Sequence, residues 1–441
     1  MNNPKIPFLK KISKKQFVEM AKNVAIVVLL VSALLLAGEV GIFSGAAAKP
    51  QTTSRPAAYV EGAYVAAATP FLIVVTPESG SHTAIAYDED ELSEAYKRFS
   101  STLGQALGSS SEPEQVTQQE WENALSGRGV YFDFYSGQPL DAVARWLDTS
   151  ISGKAGDNVA RRICLALEGD SVVLYYTRTR DTGGVYRCKT AVNASQLSEI
   201  SEYIPNGAYY NFEYRNPFEG VDRCAILTAN EIAVPGVTVR LPGSGAEAYA
   251  ELMDIFNINS FTEPYVEKDG TVVYVDVDGE ATLQITPSGK VTYTRASAGS
   301  GNKRTTTLDA IEDTRRLCSE TMGRYGGDAE FYMSYILRDS GTGEEAEAYA
   351  EPQSYTVRYD YRLAGLPVFM SDGQSAAEFV IRNGELIYAS IQLREYTVTD
   401  EWEHPLPSLQ AAAIVRASGG GEPVLCYVDD ASNVAANWRI R

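Results

Sequence analysis

The chain is poor in the side chains that most enzymes recruit. Of its 441 residues only two are His, His82 and His404, and they lie 322 positions apart. With no HExxH and no His/Cys cluster, a zinc site is excluded in practice. No GxSxG and no GxxxxGK[ST] run occurs, and the Gly-rich pieces "GSG" and "GGG" fall in linkers and turns. The five Cys (Cys164, Cys188, Cys224, Cys318, Cys426) are scattered, odd in number and without a CxxC, so no disulfide framework is expected. None follows the N-terminal apolar run at the place a lipoprotein attachment needs. Basic residues are also few. There are 38 Lys and Arg against 57 Asp and Glu, a net charge of −19. Such a surface excludes nucleic acid as a partner and disfavours lying flat on anionic lipid. The 57 carboxylates always permit an acid/base pair, but no spacing singles one out, so the chain reads as no enzyme and no cofactor is expected.

What is present is asymmetric. Residues 1–23 hold six Lys against Glu19, a net of +5, which leaves −24 for residues 24–441. Val24 to Phe43 then runs for 20 residues with one charge, Glu39. At the helical rise this spans roughly 30 Å, the hydrocarbon thickness. The Lys-rich side stays cytoplasmic by the positive-inside rule. A cleaved signal peptide competes with this reading, because the uncharged run before Glu39 is short and Ala46-Ala47-Ala48 offers an A-x-A site. Set against a chain without active-site chemistry, a retained anchor is the better reading, and Glu39 marks its outer boundary. Ala33, Ala37 and Gly41 recur every four residues and form a small-residue ridge on which membrane helices approach closely.

Beyond a linker at 44–69 the periodicities alternate between helix and sheet. "PFLIVVTP" (70–77) is a buried strand bounded by prolines. A helix follows with Asp88 as N-cap, Glu91 three residues on, and Gly108 as its stop. The acidic "DEDE" (Asp88–Glu91) is better explained by that cap than by a metal. "GVYFDFY" (129–135) is a strand and "PLDAVARWL" (139–147) a short helix begun by Pro. "RRICLALEG", "SVVLYYTRTR" and "GVYRCKT" form a meander. "NAS" (193–195) fits a glycosylation acceptor but also caps the helix 195–204, and the cap is preferred. Tyr210, Phe212 and Tyr214 share one strand face, opposite Asn211 and Glu213.

From 243 the pattern restarts. Tyr249, Leu252, Met253 and Phe256 mark one helix face, and strands follow with turns at Asp278-Gly279 and Ser288-Gly289. "DVDGE" (276–280) resembles a calcium loop, but its frame would start at Tyr274, which is no ligand, so a hairpin turn is expected. After a second linker, "SAGSGNK", a helix at 306–323 carries Cys318 on its apolar side. Strands with the Asn383-Gly384 hairpin signal and a tail of one helix and one strand complete the chain. The expected organisation is α+β: an N-terminal unit at 70–240, then helix-plus-antiparallel-meander modules at 243–300 and 305–441.

Together these parts resemble the YycH/YycI type. The resemblance rests on the Lys-rich start, the span "VLLVSALLLAGEVGIFS", then "PFLIVVTPESGSHTAIAYDEDEL", "QQEWENALSGRGVYFDFYSGQPL" and the closing "HPLPSLQAAAIV". It covers layout and local patterns over most of the chain. It implies a single-pass protein of the cell membrane in a low-GC Gram-positive bacterium, with modules similar to the PepSY type outside the cell. It further implies regulation of the cell-wall-sensing (WalK-type) histidine kinase, with a second related regulator as a membrane companion and no catalytic residues. The competing reading is an extracytoplasmic binding module for a cell-wall ligand or secreted peptide without a kinase. A wall-remodelling hydrolase is a third class, disfavoured by the missing His, Ser and metal patterns.

Overall fold

The computed structural model describes residues 69–441 apart from 152–154, 157, 180–183, 204–208, 216, 229, 243–245, 260–262, 297–304 and 340–353. The linker "SAGSGNK" therefore lies outside the described residues. The period-2 stretches of the first half build one antiparallel sheet of nine strands. These are β1 (Leu72–Thr76), β2 (His82–Ala86), β3 (Glu114–Val116), β4 (Gly129–Pro139), β5 (Val159–Glu168), β6 (Ser171–Arg178), β7 (Val185–Asn193), β8 (Tyr209–Phe212) and β9 (Ile226–Leu227). Their spatial order is β3-β7-β6-β5-β4-β1-β2-β8-β9.

Both faces of this sheet are covered, which explains the continuous apolar run of β1. Ile73 and Val75 point to one face, together with Phe132, Ile163 and Tyr176. There they meet Tyr96, Phe99 and Leu103 of α1 (Glu89–Gly108), with Trp121 of α2 (Gln118–Ser126) on the opposite face beside Val74, Tyr131 and Cys164. Helices α3 (Leu140–Trp146) and α4 (Ala194–Ser201) complete the first face. Local caps set the helix starts. The Asp88 side chain accepts from the Glu91 amide, Thr117 and Glu120 form a capping box, and the Asn193 side chain accepts from the Ser195 amide. Pro139 is the N-cap of α3 and not its first helical residue.

The second half contains β10 (Val234–Arg240), α5 (Ala246–Ile255), β11 (Tyr265–Val266), β12 (Val272–Val275), β13 (Ala281–Ile285), β14 (Lys290–Arg295) and α6 (Thr307–Cys318). Then come β15 (Glu330–Asp339), β16 (Ser354–Leu363), β17 (Leu366–Met370), β18 (Ala377–Arg382), β19 (Glu385–Gln392), β20 (Glu395–Glu403), α7 (Ser408–Ala417), β21 (Pro423–Asp429) and β22 (Val434–Ile440). Strands β11 to β14 do not close on themselves. β14 pairs with β19, so the stretches 243–300 and 305–441 contribute to one eleven-stranded sheet. This pairing covers an edge that a lone meander would leave exposed. β17 and β21 run parallel, and β10 pairs with β20 in a separate ribbon. Among the described residues the fold is mixed α+β, with seven α-helices.

Three local expectations change. β8 ends at Phe212 and a 3₁₀ turn takes over at Glu213–Arg215, although Tyr210, Phe212 and Tyr214 still pack on one cluster as expected. Glu213 is buried, not exposed, and its carboxylate accepts from the Phe218 amide. The helix expected at 306–323 is α-helical only to Cys318, with a π turn at Ser319–Gly323. The C-terminal tail holds a further strand, β22, whose mixed sequence "VAANWRI" is drawn into the sheet by seven register partners on β21.

Candidate functional site

The sequence-derived site residues Ala33, Ala37, Gly41 and Glu39, and the Ala46-Ala47-Ala48 step, lie outside the described residues. Among the described residues, no helix is long and apolar enough to cross a membrane, and no group of three His, Cys, Asp or Glu side chains is placed to hold a metal. Three features built by the described chain remain: a clamp on the entering backbone, an acidic cavity beside it, and a buried ion network.

The clamp centres on Arg362. In β16 the odd positions Tyr355, Val357, Tyr359, Tyr361 and Leu363 face the core as the alternation requires. Arg362 belongs to the other face, yet it is only 3% exposed. It is covered by the segment that leads into β1. Its Nη1 donates to the Thr69 carbonyl at 3.1 Å and its Nη2 to the Pro70 carbonyl at 3.2 Å. The guanidinium also lies 4.5 Å over the Phe71 ring. The Phe71 amide in turn donates to the Asp133 carbonyl at 2.8 Å, so the first described residues are fixed from both sides. Burial pulls the Arg362 guanidinium below its ordinary pKa, against the attraction of Glu89 and Glu330. The Glu89 carboxyl is pushed up to about 7, first by burial and then by the Glu330 carboxyl beside it, with Arg362 opposing.

Glu89 also lines a cavity of about 440 Å³. Asp88, Asp90, Glu231 and Asp328 share its wall with Tyr210 and Trp402, and no Lys or Arg is among the lining residues. Asp328 is held in place by accepting from the Val398 amide at 2.9 Å. Trp402 projects from β20 with 63% of its surface exposed. Carboxylates around an indole suit an ammonium or guanidinium group, which gains from both charge and the ring quadrupole. The His82 ring is held by Thr76 at 2.8 Å and its pKa is lowered to about 4 by burial and then by Arg215. All five Cys are free and buried. Burial pushes the Cys164, Cys188, Cys224, Cys318 and Cys426 thiols up, which keeps them protonated.

The ion network joins the two sheets. Neighbouring strand residues normally point to opposite faces, but β5 shifts register between Ala160 and Arg162, and β4 shifts between Asp133 and Gln138. These bulges bring Arg161 and Arg162 onto the same carboxylates. Arg161 Nε reaches Asp133 Oδ1 at 2.8 Å and its Nη2 reaches Glu422 Oε1 at 2.6 Å. Arg162 Nε reaches Asp133 Oδ2 at 3.2 Å and its Nη2 reaches Glu422 at 3.0 Å and Asp222 at 3.0 Å. Burial alone would raise the Asp133 and Glu422 carboxyls; the two guanidiniums outweigh it and hold both below the ordinary range. Sequence reading missed these residues, although paired Arg in an apolar strand and a lone Asp in "VYFDFY" were the signal.

No protein-family model matches the chain, and no curated protein matches it. Among solved structures, the crystal structure of YycH from Bacillus subtilis superposes with a TM-score of 0.55 at 10% identity. The superposition covers 86% of this chain and 95% of that one. Over most of its length, the chain shares the fold of YycH.

Proposed function

We propose that the chain is a single-pass membrane regulator that binds and modulates a sensor histidine kinase. Residues 1–23 are cytoplasmic, 24–43 span the membrane, and the modules from 70 onward, similar to the PepSY type, lie outside the cell. The observation that carries this reading is the YycH-like fold over 86% of the chain, downstream of an apolar 20-residue segment with a Lys-rich flank. Ala33, Ala37 and Gly41 pair the anchor with the kinase's membrane helices, with a second related regulator as a further companion. The Arg362 clamp supports a mechanical link, because the backbone arriving from the anchor is fixed directly to the core of the C-terminal sheet. A ligand that favours one state of the extracytoplasmic unit would thereby bias the anchor between two packings.

The test is recovery of the kinase with this protein from detergent-solubilised membranes, together with kinase output in a deletion strain. No co-purification and unchanged output would remove the proposal. The acidic cavity favours a second reading, a binding module for a cationic wall fragment or secreted peptide without a kinase. Replacing residues 24–43 by an unrelated membrane helix separates the two. The regulator loses function on the exchange, and a self-sufficient binding module does not.

A further inference from the structure

We infer that a second cavity, on the opposite charge logic, binds an oxyanion carried on a partly apolar body. It encloses about 300 Å³ between β4, β15, β17 and β22, and its wall includes Tyr135, Tyr332, Phe369, Arg439 and Arg441. In a chain with a net charge of −19, a cavity faced by guanidiniums is a local inversion.

Each guanidinium is set on an aromatic ring. Arg439 lies 5.4 Å over Phe369 and Arg441 lies 4.7 Å over Tyr135. Arg441 also donates to the Tyr135 carbonyl. Among the described residues neither Arg439 nor Arg441 has an Asp or Glu carboxylate within 4.0 Å, the ion-pairing distance. A third guanidinium, Arg358, stands over the Tyr335 ring at 5.1 Å but is already engaged by Glu378 at 2.6 Å. The one acidic side chain in the wall is Asp360. It accepts from the Ala376 amide at 2.7 Å, and burial pushes its carboxyl up, against the Arg358 guanidinium.

The backbone also aims side chains into this space. Tyr135 sits at φ 65°, in the register shift of β4, and β15 shifts register between Met333 and Tyr335. Such bulges redirect side chains that regular strands would point elsewhere. The planar guanidinium fork matches carboxylate and phosphate oxygens, and stacking on a ring pre-organises it. The cavity is larger than a bare oxyanion needs. Its aromatic floor, with Ile440 exposed at 46% and Tyr335 at 42% on the rim, suits a ring or acyl body attached to the anion.

The full-length chain, purified in detergent, is titrated with phenyl phosphate, benzoate, inorganic phosphate and phenol. Unfolding is followed by a thiol-reactive dye, which reads exposure of the buried Cys. Phenyl phosphate or benzoate should raise Tm saturably, with half-saturation at least about tenfold lower than for inorganic phosphate. The lower half-saturation of the first two identifies a phosphate or a carboxylate headgroup. Arg439→Gln and Arg441→Gln should abolish the shift, and Arg439→Lys should retain part of it. If the Gln variants fail to unfold cooperatively, Ser375→Glu, which adds a negative charge to the same wall, should abolish it instead. An equal shift with phenol, no shift with any anion, or a shift that survives the substitutions would overturn the inference.

Discussion

Arg161 and Glu422 lie 261 residues apart and face each other as a two-armed ion pair, with Nη2 to Oε1 at 2.6 Å. The pair joins β5 of the first sheet to the start of β21 in the second. Both side chains are 12% exposed, so the charges cannot fall back on water when one partner goes. Glu422→Gln should therefore cost about 3–5 kcal/mol, read as a lower urea midpoint at unchanged slope. The apolar double exchange Arg161→Met with Glu422→Leu should recover part of that loss. The two carboxyls held low in this network, Asp133 and Glu422, also fix a sign. Their contribution is present above the ordinary carboxylate pKa and is lost as pH falls through the depressed folded-state values.

Glu89 acts in the opposite sense. Its folded-state pKa of about 7 stands above the ordinary value of 4.5, so between the two the folded chain binds more protons than the unfolded one. The stability it contributes is present below the ordinary value and is lost as pH rises through about 7. Tm should therefore fall between pH 5 and pH 8 more steeply in the native chain than in Glu89→Gln. Equal slopes for the two would remove Glu89 as the cause.

Arg362→Ala should free the entering backbone. Hydrogen exchange at the Phe71 amide is expected to accelerate by at least about tenfold, while the core of β16 stays protected, since its inward side chains are unchanged. If the clamp transmits between anchor and ectodomain, the same variant should retain kinase binding and lose regulation. Loss of both would show that Arg362 serves folding alone.

The five thiols offer a direct check on burial. All are enclosed and held protonated, so a thiolate-selective reagent should label none of them at pH 8 in the folded chain and all five in denaturant. Rapid labelling of Cys188 or Cys426 would show local opening of β7 or β21.

Much of the fold was legible because one-dimensional signals were strong. Asp88 and Asn193 announce their helices through caps, and Asn383-Gly384 carries the left-handed φ values of 51° and 76° that its hairpin needs. What stayed hidden depends on residues distant in the chain. β22 acquires its conformation from β21, and β10 from β20, neither of which local propensity encodes. The clamp was invisible for the same reason. Arg362 looks like any outward position of an alternating strand until Thr69 and Pro70, nearly three hundred residues earlier, cover it. Burial likewise separates Glu89 from Asp88 and Asp90, although the three stand together in one acidic run.

The proposed anchor ridge is open to a single substitution. Gly41→Leu places a bulky side chain where a close helix approach needs none. It should weaken recovery of the kinase while leaving the Tm of the ectodomain unchanged. Undiminished recovery would take Ala33, Ala37 and Gly41 out of the account.

The central claim is that this chain regulates a kinase through its anchor. The decisive measurement is autophosphorylation of the histidine kinase in proteoliposomes, alone, with the full-length chain, and with a version whose residues 24–43 are replaced by an unrelated membrane helix. The account predicts that the full-length chain changes the rate by at least about threefold and that the exchanged version leaves it at the value of the kinase alone. Identical rates in all three preparations would contradict it.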